Sequence, residues 1–257
     1  MIVDTHSHLY LDTFKEDIDQ IIERARNKDV GSIYLPNITS ESIDAVFALC
    51  DKEPDLFYPM LGLHPVYVKE DYEEELRKIE ARLDEREIFA IGEIGSDLYR
   101  GKDYKREQEK AFHRQCEWAL DRDLPIVIHS RDSIDWQIEM IQSYKGELRG
   151  IFHCFTGNVS QAKKIIDEGF LLGVGGIVTF KNSGLSETLK NISLTSLVLE
   201  TDAPYLAPEP FRGRRNESSY LSFIVMRLAE IYAVPEDEVA AVTTANAQKL
   251  FHPNASN

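Results

Sequence analysis

Basic residues are in short supply in this chain. Twenty-nine Lys and Arg stand against 44 Asp and Glu, a formal net charge of −15 over 257 residues. A field of that sign repels polyanions at long range, so binding nucleic acid through a general basic surface is excluded. Any nucleic-acid substrate has to be held by local cations or by bound metal. Cysteine is just as sparse. Cys50, Cys116 and Cys154 stand far apart without a Cys-x-x-Cys pair, which excludes a disulfide framework and a thiolate zinc knuckle. All three are expected to be small core residues. No apolar run approaches the length of a membrane span, and no charged-then-apolar leader precedes the first apolar run. Membrane insertion is therefore not expected, and a cytoplasmic location is. Linkers, low-complexity tracts and repeats are also missing, and no obligate protein partner is signalled.

What is present is an alternation. Short apolar runs at 1–4, 32–36, 57–62, 88–92, 125–129, 150–153, 170–174 and 197–200 are separated by charged stretches of helical period. Residues 14–25 place Phe14, Ile18, Ile21, Ile22 and Ala25 on one face. Residues 104–120 do the same with Phe112, Cys116, Ala119 and Leu120, and residues 159–168 with Ala162, Ile165 and Ile166. The last of these is capped by Asn158 or Ser160 and stopped by Gly169. Eight strand–helix units with strands apolar throughout imply a parallel sheet covered by helices. In 257 residues that is the arithmetic of an α/β fold of (β/α)8 TIM-barrel type, read as one domain spanning 1–257. An open doubly wound sheet would carry a Gly-rich phosphate loop after its first strand; Thr5-His6-Ser7-His8 stands there instead. Residues 218–251 read as closing helices, one of them started by Pro235.

The polar residues where these runs end are the chemically telling ones. Run one ends in His6 and His8, which face the same side two residues apart. Run four ends in Glu93, run five in His129, run six in His153, and run eight in Glu200-Thr201-Asp202. The C-terminal mouth of a barrel is where catalysis is built, so four histidines and two carboxylates are expected to meet there. Such an N/O donor set without thiolate suits one or two divalent cations, Mg²⁺, Mn²⁺ or Zn²⁺. Glu93 is the expected bridge between two ions, and Asp202 the expected proton acceptor for an attacking water. Asp4 is expected to lie deeper and to support a ligand.

At these residues the chain resembles the TatD-like deoxyribonucleases, a branch of the amidohydrolase-like metal-dependent hydrolases. The matching motifs are Asp4-Thr5-His6-Ser7-His8, Gly62-Leu63-His64-Pro65, Gly92-Glu93-Ile94-Gly95-Ser96-Asp97, Ile128-His129-Ser130-Arg131-Asp132, His153-Cys154-Phe155-Thr156-Gly157 and Glu200-Thr201-Asp202-Ala203-Pro204-Tyr205-Leu206. The Gly213-Arg214-Arg215-Asn216-Glu217 loop and Thr244-Ala245-Asn246-Ala247 also match. The resemblance implies a TIM barrel, dependence on divalent metal, and hydrolysis of DNA phosphodiesters, often from the 3′ end. It also puts His6, His8, Glu93, His129, His153 and Asp202 on the family's metal-ligand positions. Two residues depart from the family pattern. Ser96 replaces a large apolar residue and could enlarge or polarise the mouth, and Ser218 replaces a proline and could loosen the neighbouring loop.

Substrate contacts are expected from His64, from Arg131, and from Arg212, Arg214 and Arg215, the one tight basic cluster. His64 could equally be a histidine hydrogen-bonded ahead of Pro65, and Arg131 could equally brace Asp97 or Asp132. Tyr205 and Phe155 could stack on bases, while His113 and His252 are expected to face solvent. The expected function is a metal-dependent DNA exonuclease acting on single-stranded or frayed DNA. The alternative is a related hydrolase acting on another bond, such as the ester of an aminoacyl-tRNA, since fold does not fix substrate.

Overall fold

A computed structural model describes residues 1–252; the last five residues of the expected 1–257 unit lie outside them. Eight parallel strands run β1 (Ile2–Asp4), β2 (Val30–Pro36), β3 (Phe57–Met60), β4 (Ile91–Asp97), β5 (Ile126–Arg131), β6 (Gly150–Phe152), β7 (Phe170–Val174) and β8 (Leu197–Leu199). The helices are α1 (Ile18–Arg26), α2 (Ile43–Lys52), α3 (Tyr72–Glu80), α4 (Lys105–Asp121), α5 (Ile134–Gln142), α6 (Val159–Asp167), α7 (Leu185–Leu189), α8 (Leu221–Tyr232) and α9 (Glu236–Phe251). Continuous pairing joins β1 to β3 and β4 to β8. Backbone hydrogen bonds close both seams: Gly92 N to Leu61 O (2.9 Å) on one side, Thr5 N to Leu199 O (2.9 Å) and His8 N to Ala203 O (2.7 Å) on the other. The result is the TIM barrel that the apolar alternation implies.

Most of each expected helical stripe is buried: Ile21, Ile22 and Ala25 on α1, Phe112, Cys116 and Ala119 on α4, and Ala162 and Ile165 on α6, whereas Leu120, expected on the α4 stripe, is exposed. Asn158 caps α6 by accepting from Gln161 N at 3.0 Å, so of the two candidate caps it is the one used. Inside the barrel, Val3, Tyr34, Met60, Ala90, Val127, Ile151 and Val198 form one layer. Ala247, Leu250 and Phe251 of α9 plug it from below. His252 belongs to this plug rather than to solvent. Its Nε2 lies 2.9 Å from Tyr34 Oη, and its ring packs on Phe89. His113 is likewise half-buried, with Nδ1 2.7 Å from Tyr144 Oη.

Strand alternation carries this filled layer upward into the site. Two residues beyond Val127 comes His129, and two beyond Ile151 comes His153. β4 would break the rule, because Ala90 and Gly92 share the inward parity and Glu93 does not. A bulge corrects it: Gly92 pairs with Val127 and Ile94 with Ile128, leaving Glu93 as the extra residue, and such a bulge re-aims its side chain. The strand then runs on to Asp97, five residues past the end expected for it.

Asp4 links the first and last strands. It is fully buried and accepts from Thr201 N (2.9 Å), Thr201 Oγ1 (2.7 Å) and Ser218 Oγ (2.7 Å). Burial pushes its carboxyl up to about 7 against the pull of these donors. Ser218 therefore secures its loop where loosening was expected. Ser96 is equally far from the expected role in the mouth. Its hydroxyl is buried, 2.9 Å from Ser133 Oγ and 2.8 Å from Gln137 Oε1, and it ties β4 to α5. Replacing Ser218 by Ala leaves a buried acceptor short of a donor, so urea unfolding of Ser218→Ala should show a loss of about 1–3 kcal/mol. An unchanged midpoint would mean that Asp4 is held by Thr201 alone.

Candidate metal centre

Five elements bring the donors together. His6 and His8 follow β1, Glu93 is the bulge of β4, His129 is on β5, His153 stands one residue past β6, and Asp202 lies three residues past β8. All but His129 and Asp202 are more than nine-tenths buried. Glu93 sits at the centre, and its two oxygens face different partners. Oε2 lies 3.2 Å from His6 Nε2 and 3.6 Å from His8 Nε2. Oε1 lies 2.8 Å from His129 Nδ1, 3.3 Å from His153 Nε2 and 3.4 Å from His64 Nε2. Asp202 Oδ1 stands 3.6 Å from His8 Nε2 and 4.0 Å from His6 Nε2.

The electrostatics follow from burial and crowding. Burial would raise Glu93, but His64, His6 and His153 outweigh it and hold the carboxylate well below its ordinary range. Burial lowers His6 far below a free imidazole, with His153 adding to the effect, and lowers His8 to about 4. His153 is the exception. Burial would lower it, yet Glu200 and Glu93 lift it to about 10. Its Nδ1 is 3.1 Å from Glu200 Oε1, close enough for charge attraction although off the line of a hydrogen bond. Asp202 is pushed up to about 7 by burial, partly relieved by His153.

These residues fit a divalent cation. His6 Nε2 and His8 Nε2 are 3.2 Å apart in a dry interior, a spacing that two ring nitrogens hold only with a proton or a cation between them. Ligand atoms of His6, His8 and Glu93, of His6, His153 and Asp202, and of His64, Glu93 and His129 each fall within 4.8 Å of one another. The second ring nitrogen decides which of these can ligate. His129 turns Nε2 to Asp97 Oδ2 at 3.1 Å, which leaves Nδ1 for the cluster. His64 Nδ1 accepts from Val66 N at 3.1 Å, so in the neutral ring Nε2 carries the proton and has no lone pair to offer. His64 is a donor toward Glu93 and not a ligand.

A cavity of about 310 Å³ opens over the cluster, bordered by Tyr67, Arg100, Arg131, Tyr205 and Leu206 as well as the cluster itself. Arg131 braces neither Asp97 nor Asp132; its guanidinium lies 4.1 Å from the centre of the Tyr99 ring. The expected basic cluster is elsewhere. Arg215 pairs with Asp17 (3.0 Å to Oδ1) and covers the Phe14 ring, and Arg212 lies over Phe180. Arg214 is exposed, and none of the three lines this cavity. The second cation at the mouth is Arg100, which no motif marked. Asp97 Oδ1 positions it by accepting from Arg100 N (2.6 Å) and Tyr99 N (2.9 Å). Of the candidate stacking residues Tyr205 is 55% exposed, whereas Phe155 is 3% exposed and does not line this cavity. Cys50 and Cys116 are core residues as expected. Cys154 is only half-buried and donates its N–H to Glu200 Oε1 at 2.6 Å.

Comparison with known proteins identifies the family. The family model described as "TatD related DNase" matches residues 3–252. An uncharacterized metal-dependent hydrolase of Bacillus subtilis (strain 168), YabD, is 36% identical over 99% of this chain and 100% of its own length. The 3'-5' ssDNA/RNA exonuclease TatD of Erwinia tasmaniensis is 30% identical over 93% of this chain and 95% of its own. Among solved structures, the TatD homologue YjjV of Escherichia coli K12 superposes with a TM-score of 0.91 at 29% identity, covering 97% of each chain. The chain belongs to the TatD-related DNase family of metal-dependent hydrolases.

Proposed function

We propose that this hydrolase cleaves DNA phosphodiester bonds, as a 3′-5′ exonuclease on single strands or frayed ends. The observation that carries the reading is the divided environment of Glu93, two imidazoles at one oxygen and three at the other, beneath a mouth edged by two arginines. One cation would be held by His6, His8, Asp202 and Glu93 Oε2, and a second by His129, His153 and Glu93 Oε1. Divalent ions bound there supply Lewis-acid polarisation of the scissile group and acidify water near neutral pH. The donor set is compatible with Mg²⁺, Mn²⁺ or Zn²⁺.

The chain's own groups do the rest. Asp202, buried beside His8, accepts the proton of the attacking water. With a phosphate over Glu93, the Nε2 proton of His64 turns from Glu93 to the scissile phosphate or the oxygen next to it. Arg131, steadied on Tyr99, and Arg100 pair with phosphate oxygens and offset the charge that builds up in the transition state. Two cations at the mouth supply locally what a net charge of −15 denies globally. The Erwinia relative, named as a 3'-5' ssDNA/RNA exonuclease, supports a single-stranded substrate. The acidic surface favours a second reading, hydrolysis of an ester such as that of an aminoacyl-tRNA, which a substrate panel separates from the first.

With Mg²⁺ or Mn²⁺ added, Asp202→Asn should lower kcat on single-stranded DNA by about 10²–10⁴-fold; undiminished turnover would remove Asp202 as the base. In melting experiments without substrate, Mn²⁺ should raise the Tm of the wild type and much less that of His6→Ala. Equal shifts would place the ion elsewhere. Arg131→Ala should raise KM by about tenfold, the worth of one charge-assisted contact to phosphate. Arg215→Ala should lower stability and leave KM alone. The reverse pattern would return the substrate contact to the 212–215 loop.

A further inference from the structure

A second cavity, of about 320 Å³, lies beside the metal centre, formed where β5 leads into α5 and β6 into α6. His153 lines both cavities. Their charges differ. The cavity over Glu93 sets Arg100 and Arg131 against Glu93, Asp97 and Asp202, whereas the other has Asp132 and Asp135 and no lysine or arginine in its lining. Its polar lining includes Ser130, Asp132, Asp135 and Gln161, and Trp136 stands with the buried Phe152 and Phe155 among its aromatic residues. Lys105 Nζ, 4.4 Å from the Trp136 ring centre, steadies that ring. Asp135 Oδ2 is already engaged, accepting from Gln161 Nε2 at 3.0 Å. Asp132 is not: no hydrogen bond or ion pair holds its carboxylate among the described residues. Nor does any group of metal-ligating side chains form here among them.

Carboxylates without a cation repel a phosphate and accept from neutral N–H donors. An indole wall takes a planar ring. The volume is at the lower end of small-molecule sites, which run from about 300 to 1,000 Å³, and suits one ring system rather than a length of strand. We propose that this cavity is a subsite for the nucleoside at the end of the strand, its base stacked on Trp136 and its donor edge turned to Asp132. The assignment rests on the phosphodiesterase reading, because a phosphate over Glu93 brings its attached nucleoside to the shared wall at His153. It also states a preference. Guanine offers adjacent N1–H and N2–H donors to a carboxylate, while the single N3–H of thymine is flanked by carbonyl oxygens that the carboxylate repels.

Two measurements test it. Free nucleosides carry no phosphate, and Trp118 is buried (1% exposed), so nucleoside quenching of tryptophan fluorescence reports Trp136. In the Mn²⁺-loaded protein, 2′-deoxyguanosine should quench saturably and bind about tenfold tighter than thymidine, the worth of a hydrogen bond to a charged group. Asp132→Asn should bring the two to parity, and Trp136→Phe should abolish the quenching. In the second measurement, wild-type kcat/KM on single-stranded oligonucleotides should favour a terminal dG over a terminal dT by a similar ratio, and Asp132→Asn should erase that ratio. Cleavage indifferent to the terminal base, with no saturable nucleoside binding, overturns the subsite and leaves the nuclease reading standing. Selective nucleoside binding lost in Asp132→Asn, in a protein that cuts no DNA, keeps the subsite and removes the nuclease reading.

Discussion

The structure depends on one buried carboxylate. Glu93 sits at 2% exposure with five imidazole nitrogens within 3.6 Å of its two oxygens. A charge in a dry interior is tolerable only if it is paired. Here the pairing is spread over five histidines drawn from several strands, so no single loop movement can dissolve it. The division of these partners between the two oxygens turns a lone glutamate into a junction between two halves of a site. Remove its charge and the histidines lose the partner they share; remove the barrel and they never meet.

The barrel delivers these groups because its lower layer is filled. Seven inward side chains and the α9 plug leave no room below, so the next inward positions open upward as the floor of a cavity. Asp97 and Glu200 then orient His129 and His153 from behind, and Gly173 leaves space for Glu200. A Cβ at Gly173 would lie 2.2 Å from Glu200 Oε2. Asp4 gives the same service to the seam between the first and last strands, anchoring Thr201 next to Asp202. Carboxylates behind these rings decide which ring nitrogen faces Glu93. His64 shows the converse, since a single backbone N–H at Nδ1 makes it a donor.

Much of this was legible in the residues. Six donors at the ends of apolar runs, in barrel order, pointed to a metal site, and the family motifs agreed. What misled was charge counted along the chain. Arg212, Arg214 and Arg215 are adjacent in sequence and looked like a phosphate clamp, yet Asp17, Phe14 and Phe180 occupy two of them. Arg100 is isolated in sequence and lies at the mouth, because Asp97 folds the turn that carries it. Ser96 and Ser218, read as disturbances of the mouth and the loop, are each spent on a buried hydrogen bond.

The order of strands and helices, and the placing of histidines and carboxylates at the ends of the apolar runs, follow from the sequence alone. Hydrophobic period and residue type are local properties, and eight repetitions of one local pattern leave few architectures open. Tertiary structure decided the rest: which oxygen of Glu93 faces which imidazole, that a bulge turns it inward, which arginines reach the mouth, and that a cavity without lysine or arginine adjoins the one that holds them. Each of these depends on distances between residues far apart in the chain, such as Asp4 and Ser218 at 2.7 Å, and no spacing along the sequence encodes them.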